Sequence, residues 1–510
     1  MKNDDGMTHL RSEQSRRVVQ ALRAFHETPL GDLLALHKMS SADAAVLSHF
    51  HAVARDVPAY AAFLREHGVD AGSVRSIEDF RRVPPTTKED YQRRHPLPDL
   101  CRGGALDACD MVAVSSGSTG APACWPRFVT DELSVAARFE QVLHDGFRAD
   151  ERRTLAVVCF ALGTWVGGMY TAACCRHLAA KGYPLTVVTP GNQKAEILRV
   201  LGELRGSYDQ VVLLGYPPFL KDVIDAARAD GFDWSRPKVR LVMAGEVFSE
   251  EWRSLVCARL GTDAPEESTA SLYGTADGGV LANETPLSIR IRRFLSGHPA
   301  AARELFGEAR LPTLCQYDPL HRYFESDDGD LLFSGDSGAP LVRYKILDRG
   351  GLFSYAGLLS ALEDHGFDPL AGVAPGTAAR VRDLPFVFVF GRSSFAVSFY
   401  GANVYPENVS VGLEQPELAP HVTGKFVMQV VSDADLNAEL EIAVELAPGM
   451  VASRALEERI AASIRTHVER LNSEYAHYAP EGRRTPRVRL LPTGDPAYFP
   501  AGVKHRYTRA

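Results

Sequence analysis

The eight residues Ser115-Ser116-Gly117-Ser118-Thr119-Gly120-Ala121-Pro122 combine two glycines, four hydroxyls and a closing proline, a mixture that suits neither helix nor strand. Just before them, Met111-Val112-Ala113-Val114 reads as a short buried strand. Glycines let successive backbone N–H groups converge on one point and hydroxyls add donors, so the stretch has the chemistry of an anion cradle that holds a polyphosphate without side-chain charge. A surface loop of small residues is the plain alternative. The loop is not a Walker A site, because the lysine that GxxxxGK[ST] requires is absent. His177, His321 and His505 have no partner that the sequence identifies, so none is assigned a catalytic role.

The elements that must position this loop follow from hydrophobic periodicity. The first hundred residues read as helices: Arg11 to His26, Ser41 to Asp56 and Pro58 to Leu64 carry apolar residues at helical spacing, and Ser76-Ile77-Glu78-Asp79-Phe80 is a capped helix start. Pro84-Pro85-Thr86-Thr87-Lys88-Glu89-Asp90 reads as a stop followed by a new cap. Beyond the loop, short apolar strands at Leu155–Phe160, Leu185–Val188, Val211–Leu214 and Val239–Ala244 alternate with helical segments such as Ala195–Arg205 and Phe219–Asp230. That alternation predicts a parallel, helix-covered α/β sheet. After Gly329 the texture is strand-rich, as in an antiparallel or barrel-like appendix. From Gly391 a second unit is expected, with strands at Phe426–Val431 and Glu439–Glu445, a helix from Ser453 to Leu471 and a last strand near Val488–Leu491. The predicted division is therefore a large domain over 1–390 and a small α+β domain over 391–510, with a polar, glycine-containing hinge at Gly391-Arg392-Ser393-Ser394.

Composition narrows the class. A chain of 510 residues exceeds one ordinary core, and 45% hydrophobic with 24% charged residues is a globular balance. The net charge of -8 argues against a nucleic-acid binder, which needs a basic face. The eight cysteines form no CxxC pair, and several sit in apolar runs, as reduced buried thiols do. The polar start and the lack of a long apolar run predict a cytoplasmic protein without membrane partners.

The loop resembles the phosphate loop of the adenylate-forming superfamily of acyl-CoA synthetases, adenylation domains and luciferases, and four later stretches are similar to that superfamily's motifs in the same order. Ser271-Leu272-Tyr273-Gly274-Thr275-Ala276-Asp277 resembles its Tyr-Gly-x-Thr-Glu segment, Arg343-Tyr344-Lys345-Ile346-Leu347-Asp348 its Arg-Tyr-x-x-x-Asp segment, Gly391-Arg392-Ser393-Ser394 its Gly-Arg-x-Asp hinge, and Gly502-Val503-Lys504 its C-terminal lysine loop. Within the superfamily the likeness is to the phenylacetate-CoA ligase family. It rests also on the Pro84–Asp90 lead-in, the Gly245-Glu246 strand-end pair and Tyr400-Gly401-Ala402-Asn403-Val404-Tyr405-Pro406. The departures are the greater length, Asp277 for glutamate, Ser394 for the hinge aspartate, and the loop's missing lysine.

The resemblance implies an ATP-dependent, AMP-forming ligase that makes an acyl-adenylate from an aryl, cyclic or alicyclic acid and releases pyrophosphate. Ser115, Ser116, Gly117, Ser118, Thr119 and Gly120 would hold the β- and γ-phosphates. Gly245, Glu246, Tyr273, Gly274, Asp348 and Arg392 would bind the rest of the nucleotide, Asp277 would hold Mg²⁺, and Lys504 would stabilise the transition state. Trp165, Gly167, Gly168 and Tyr216 would line the acyl pocket, with plain core packing the alternative for Trp165 and turn packing for Tyr216. The acceptor is a free amino-acid amine, giving an amide, or coenzyme A, for which Gly401 would leave room; a non-catalytic nucleotide-binding relative is a third reading. With no lysine in the loop, charge is expected from Mg²⁺ and from the C-terminal lid.

Overall fold

The computed structural model describes residues 4–106, 109–115, 123–163, 166–234, 236–245, 247–308, 310–392, 397–399, 402–432, 438–472, 475–476, 479, 481–500 and 505–508. Strands β1 (Met111–Ser115) and β2 (Ala123–Arg127) pair antiparallel with Ser115 opposite Ala123, so the hydroxyl- and glycine-rich stretch is the connection between them. Strands β3 (Thr154–Val158), β4 (Leu185–Val188), β5 (Gln210–Gly215), β6 (Lys238–Ala244) and β7 (Thr269–Thr275) lie in the order β4-β3-β5-β6-β7 and run parallel. Every residue of β3 and β5 is buried, as expected of strands covered on both faces. Successive side chains serve different cores. Leu155, Val157, Val211, Leu213, Leu241 and Met243 pack with Ile197, Leu220, Ile224 and Val256 of the helices Lys194–Leu204, Pro217–Ala229 and Glu250–Arg259. Ala156, Val158, Val212, Leu214 and Val242 pack with Phe139, Cys174 and Leu178 of the helices Val129–Gln141 and Val166–Ala180 on the other face.

The predicted strands and crossover helices are thus present, with ends shifted by up to two residues. The strand-rich part continues the same sheet. Strands β8 (Gly279–Asn283), β9 (Thr313–Gln316), β10 (Tyr323–Asp327), β11 (Asp330–Gly335), β12 (Leu341–Phe353) and β13 (Phe386–Arg392) add to it antiparallel, giving eleven strands in the order β10-β11-β12-β13-β9-β8-β7-β6-β5-β3-β4. The β1–β2 hairpin covers this part: Ala113 and Trp125 share a core with Leu281, Phe324, Phe333 and Tyr344. Two residues of β12, Arg343 (φ 44°) and Leu347 (φ 64°), adopt left-handed backbone, and the β12–β13 register slips between Arg349 and Gly350. These irregularities flank the motif that ends in Asp348.

The N-terminal helices run Asp4–Glu27, Ala42–Asp56 (capped by the Ser41 hydroxyl) and Pro58–Glu66, close to expectation. A further helix, Leu30–Met39, has no clear amphipathic signature, because only Leu30 and Leu34 are buried, against Leu384. Residues after Gly391 include strands β14 (Val397–Phe399), β15 (Ala402–Val404), β16 (Val422–Ser432), β17 (Ala438–Leu446) and β18 (Arg487–Leu491), and the helix Arg454–Leu471. Phe399, Phe426, Ile442, Ile460 and Ile464 belong to a core of their own. This part meets the main sheet's helices through Lys425 with Asp222 (2.7 Å), Lys221 with the Thr423 carbonyl (3.3 Å), and the Ser249 hydroxyl donating to Glu414. All eight cysteines are free thiols, six of them buried. Among the described residues no helix is long and apolar enough to cross a membrane.

Candidate active site

The carboxyl ends of β3, β5, β6 and β7 carry most of the residues singled out in the sequence. In an open α/β sheet that edge is where loops diverge and leave a crevice. Phe160, Tyr216 and Gly245 follow β3, β5 and β6. The rings of Phe160 and Tyr216 meet edge-on, 5.0 Å apart at 88°. Gly245 has φ +82°, and a Cβ on it would lie 2.9 Å from Tyr216 Cε1, so the ring rests directly on its backbone. A Cβ on Gly167 would lie 3.6 Å from the Phe160 ring, and one on Gly168 only 2.2 Å from the Ala161 carbonyl, which is why the helix Val166–Ala180 can start so close to the end of β3. Gly167, Tyr216 and Gly245 are thus gathered around Phe160, whereas Trp165 and Glu246 lie outside the described residues. Gly245→Ala should displace Tyr216 and strain the backbone by about 1–2 kcal/mol, so we expect a lower thermal-unfolding midpoint, and an unchanged midpoint would show that the ring yields freely.

At the end of β7, Tyr273 and Asp277 face the middle of β12. The Tyr273 phenol donates to Asp348 Oδ2 at 2.8 Å, and the Tyr344 phenol donates to Asp277 Oδ2 at 2.6 Å. The two motifs are therefore crosslinked reciprocally, each giving a phenol to the other's carboxylate. Both carboxylates are buried, at 5% exposure, where an acceptor without a donor is costly. Gly274 allows the close approach of β8: a Cβ there would lie 2.7 Å from the Gly279 carbonyl. Asp348 stands opposite Arg392 in the β12–β13 register, which brings the hinge motif's backbone to the same place. Arg343, the first residue of its motif, is turned away into an ion pair with Glu325 (3.0 Å) and is structural.

Two basic groups accompany the β1–β2 hairpin. Lys88 Nζ lies 5.7 Å from the centre of the ring of Trp125, the third residue of β2. The Pro84–Asp90 lead-in is held there by Thr86, whose backbone pairs with Arg343 and Lys345 of β12 (3.1 and 2.9 Å). Arg127, buried at the other end of β2, donates to the Ala276 carbonyl and lies over the Tyr170 ring at 5.6 Å, so it ties β2 to the turn bearing Asp277. Arg127 was absent from the sequence reading, and Lys88 appeared in it only as part of the lead-in.

Asp277 suits a hard cation bound together with phosphates. Tyr344 occupies Oδ2 and no described residue hydrogen-bonds Oδ1, which leaves one carboxylate oxygen, as many as Mg²⁺ takes when nucleotide and water supply the rest. Residues 116–120 and Lys504 lie outside the described residues, as do the side chains of Ser115 and Arg392. The flanks of Lys504 are well fixed. Phe499 is buried against Val427 and Ala443, His505 Nε2 meets the Phe426 carbonyl at 2.7 Å, and Tyr507 O accepts from Met428 N–H at 2.6 Å. Of the other histidines the sequence left unpartnered, His177 pairs with Glu132 (2.7 Å) and His321 lies beside Asp318 (3.4 Å).

No family model matches the chain. It is similar to a phenylacetate-coenzyme A ligase of Aromatoleum evansii, 23% identical over 411 residues covering 79% of this chain and 80% of that protein. It is also similar to one of Thermus thermophilus, 24% identical over 432 residues covering 81% and 86%. Among solved structures, 2-hydroxyisobutyryl-CoA ligase in the postadenylation state has a TM-score of 0.62 at 15% identity, covering 92% of this chain and 88% of that one. The same enzyme in its thioesterification state scores 0.51, covering 92% and 89%. At these identities the structural likeness establishes the fold alone, a mixed α/β architecture.

Proposed function

We propose that this chain, a phenylacetate-CoA ligase-like protein of the adenylate-forming superfamily, is an ATP-dependent, AMP-forming acid ligase whose ATP site lies at the β7–β12 crosslink. The observation that carries the reading is the reciprocal pair Tyr273–Asp348 and Tyr344–Asp277, beside the hinge register at Arg392. One carboxylate oxygen of Asp348 is fixed by Tyr273, and the group as a whole suits a vicinal diol such as a ribose. The Ser115–Gly120 amides and hydroxyls receive the β- and γ-phosphates, with Lys88 beside them. Asp277 holds Mg²⁺, which supplies charge neutralisation at the phosphates when bound. An oxygen of the substrate carboxylate attacks the α-phosphorus and the bond to the bridging oxygen of the β-phosphate breaks, leaving acyl-adenylate and pyrophosphate. No base is needed, because the acid is already ionised at neutral pH. Residues 1–390 act as the body and 391–510 as a lid that carries Lys504.

In the second half-reaction a nucleophile attacks the acyl carbonyl and AMP leaves with the bonding pair. Coenzyme A is the acceptor that the names of the relatives support. Transfer to a free amino-acid amine is the second reading, motivated by Ser394 where the hinge aspartate is expected. Incubation with ATP, Mg²⁺, a panel of aryl and cyclic acids, and either coenzyme A or an amino-acid mixture decides by product mass. A thioester without amide excludes the second reading and an amide without thioester the first. ATP binding without acid-dependent pyrophosphate release would mean a non-catalytic relative.

The contact between lid and body is pH-sensitive. Burial pushes the Glu414 carboxyl up to about 8, with Glu251 adding repulsion and the Ser249 hydrogen bond acting against the shift. The docked state therefore holds a proton that the undocked carboxylate, near its ordinary value of about 4.3, releases. Docking in this orientation is strongest at low pH, weakens as pH rises through that window, and levels off above about 8. Limited proteolysis at the hinge should accelerate from pH 6 to pH 8.5 in the wild type and stay flat in Glu414→Gln; equal profiles would contradict the assignment.

A further inference from the structure

The loop after β9 carries Asp318 and His321, and His37 reaches them from the helix Leu30–Met39. His37 Nδ1 lies 2.6 Å from Asp318 Oδ2, His321 Nδ1 lies 3.4 Å from the same oxygen, and the three candidate donor atoms all fall within 4.8 Å of one another. We propose that His37, Asp318 and His321 form a binding site for a divalent transition-metal ion, Zn²⁺ by preference, that fastens the Leu30–Met39 helix to the sheet.

The donor set is two imidazoles and one carboxylate, a combination suited to borderline ions, with a fourth position left for water. Ligands about 2.0–2.2 Å from a tetrahedral ion sit roughly 3.3 Å apart, so the observed spacings need only small side-chain rotations. Asp318 is prepared to bind through one oxygen, since its Oδ1 accepts the Leu320 N–H at 3.0 Å and Oδ2 faces the imidazoles. Arg138 NH2 stands 3.7 Å from Oδ2, beyond hydrogen-bond length, where it offsets charge without occupying a lone pair. His321 Nδ1 is a buried polar atom with no hydrogen-bond partner.

Two further features favour a bound ion over a plain hydrogen-bonded triad. The helix carrying His37 fully buries only Leu30 and Leu34, with Leu33 partly buried against the main core, so a metal link would add to a modest apolar attachment. His321 also lines a mostly apolar cavity of about 550 Å³ that it shares with His49, Asp131 and Arg322, so the imidazole borders open space.

The test uses the full-length protein, stripped with a chelator and titrated with Zn²⁺ and, as a spectroscopic surrogate, Co²⁺. The expected results are one ion per chain, a Co²⁺ d–d spectrum without a thiolate charge-transfer band, slower amide exchange over residues 30–39 on Zn²⁺ addition, and affinity lowered by about a hundredfold or more in His37→Ala and His321→Ala. The Co²⁺ band separates this site from the thiols of Cys101 and Cys109, 3.9 Å apart. Absence of stoichiometric binding to the wild type, a thiolate band, or undiminished binding in both folded variants would overturn the proposal.

Discussion

Replacing Lys504 by alanine should lower acid-dependent pyrophosphate release by about a hundred- to a thousandfold, the loss typical when a preorganised charge is removed from a developing oxyanion, while thermal stability and ATP binding stay near wild type. The anchors on either side of the lysine explain why so large an effect is expected from a residue near the chain end. Phe499 is buried against Val427 and Ala443, and His505 and Tyr507 bond to the backbone of Phe426 and Met428, so both flanks are fastened to β16. In the proposed function Lys504 moves with the lid, and these anchors would carry it there together with β16. His505 does not substitute for it, because burial lowers its imidazole to about 4 and keeps it neutral. A rate for Lys504→Ala within a few-fold of wild type would show that the lid plays no electrostatic part.

Asp348→Ala should act on nucleotide binding. The carboxylate holds the Tyr273 phenol at 2.8 Å and is placed to accept a ribose hydroxyl. Losing a hydrogen bond to a charged group costs about 1.5–3 kcal/mol. With the Tyr273 hydroxyl also left without its acceptor, we expect the upper half of that range, roughly fifty- to a hundred-and-fiftyfold weaker ATP binding by titration. Tyr273→Phe should cost less, and in the Asp348→Ala background almost nothing, because the two groups act as one unit. Unchanged affinity in Asp348→Ala, or full additivity of the pair, would remove the proposed ribose role.

The parts of the fold that the sequence announced are those with an unambiguous period. β3 and β5 are uninterrupted apolar runs because helices cover both faces, and the Pro217–Ala229 helix follows its strand after a proline pair. The helix Leu30–Met39 was not legible, since two buried leucines make no stripe and the rest of its attachment comes from residues far along the chain, such as Asp318 for His37 and Asp383 for Lys38. The same reason limits what a motif reveals about a site. Asp277 and Asp348 were identified by resemblance, but their exchange of tyrosines depends on where β7 and β12 lie in the sheet, and so does the approach of Lys88 to Trp125. Lys88 approaches Trp125 of β2, and Arg127 of β2 reaches the Ala276 carbonyl, through tertiary packing that no local pattern encodes.

The central claim, acid activation through an acyl-adenylate, is tested most directly by exchange of labelled pyrophosphate into ATP with the purified chain, Mg²⁺ and a panel of aryl and cyclic carboxylic acids, without any acceptor. The account predicts exchange that depends on the acid and on Mg²⁺ and is nearly lost in Lys504→Ala. Tight ATP binding with no exchange for any acid, or exchange that proceeds without an acid, would contradict it.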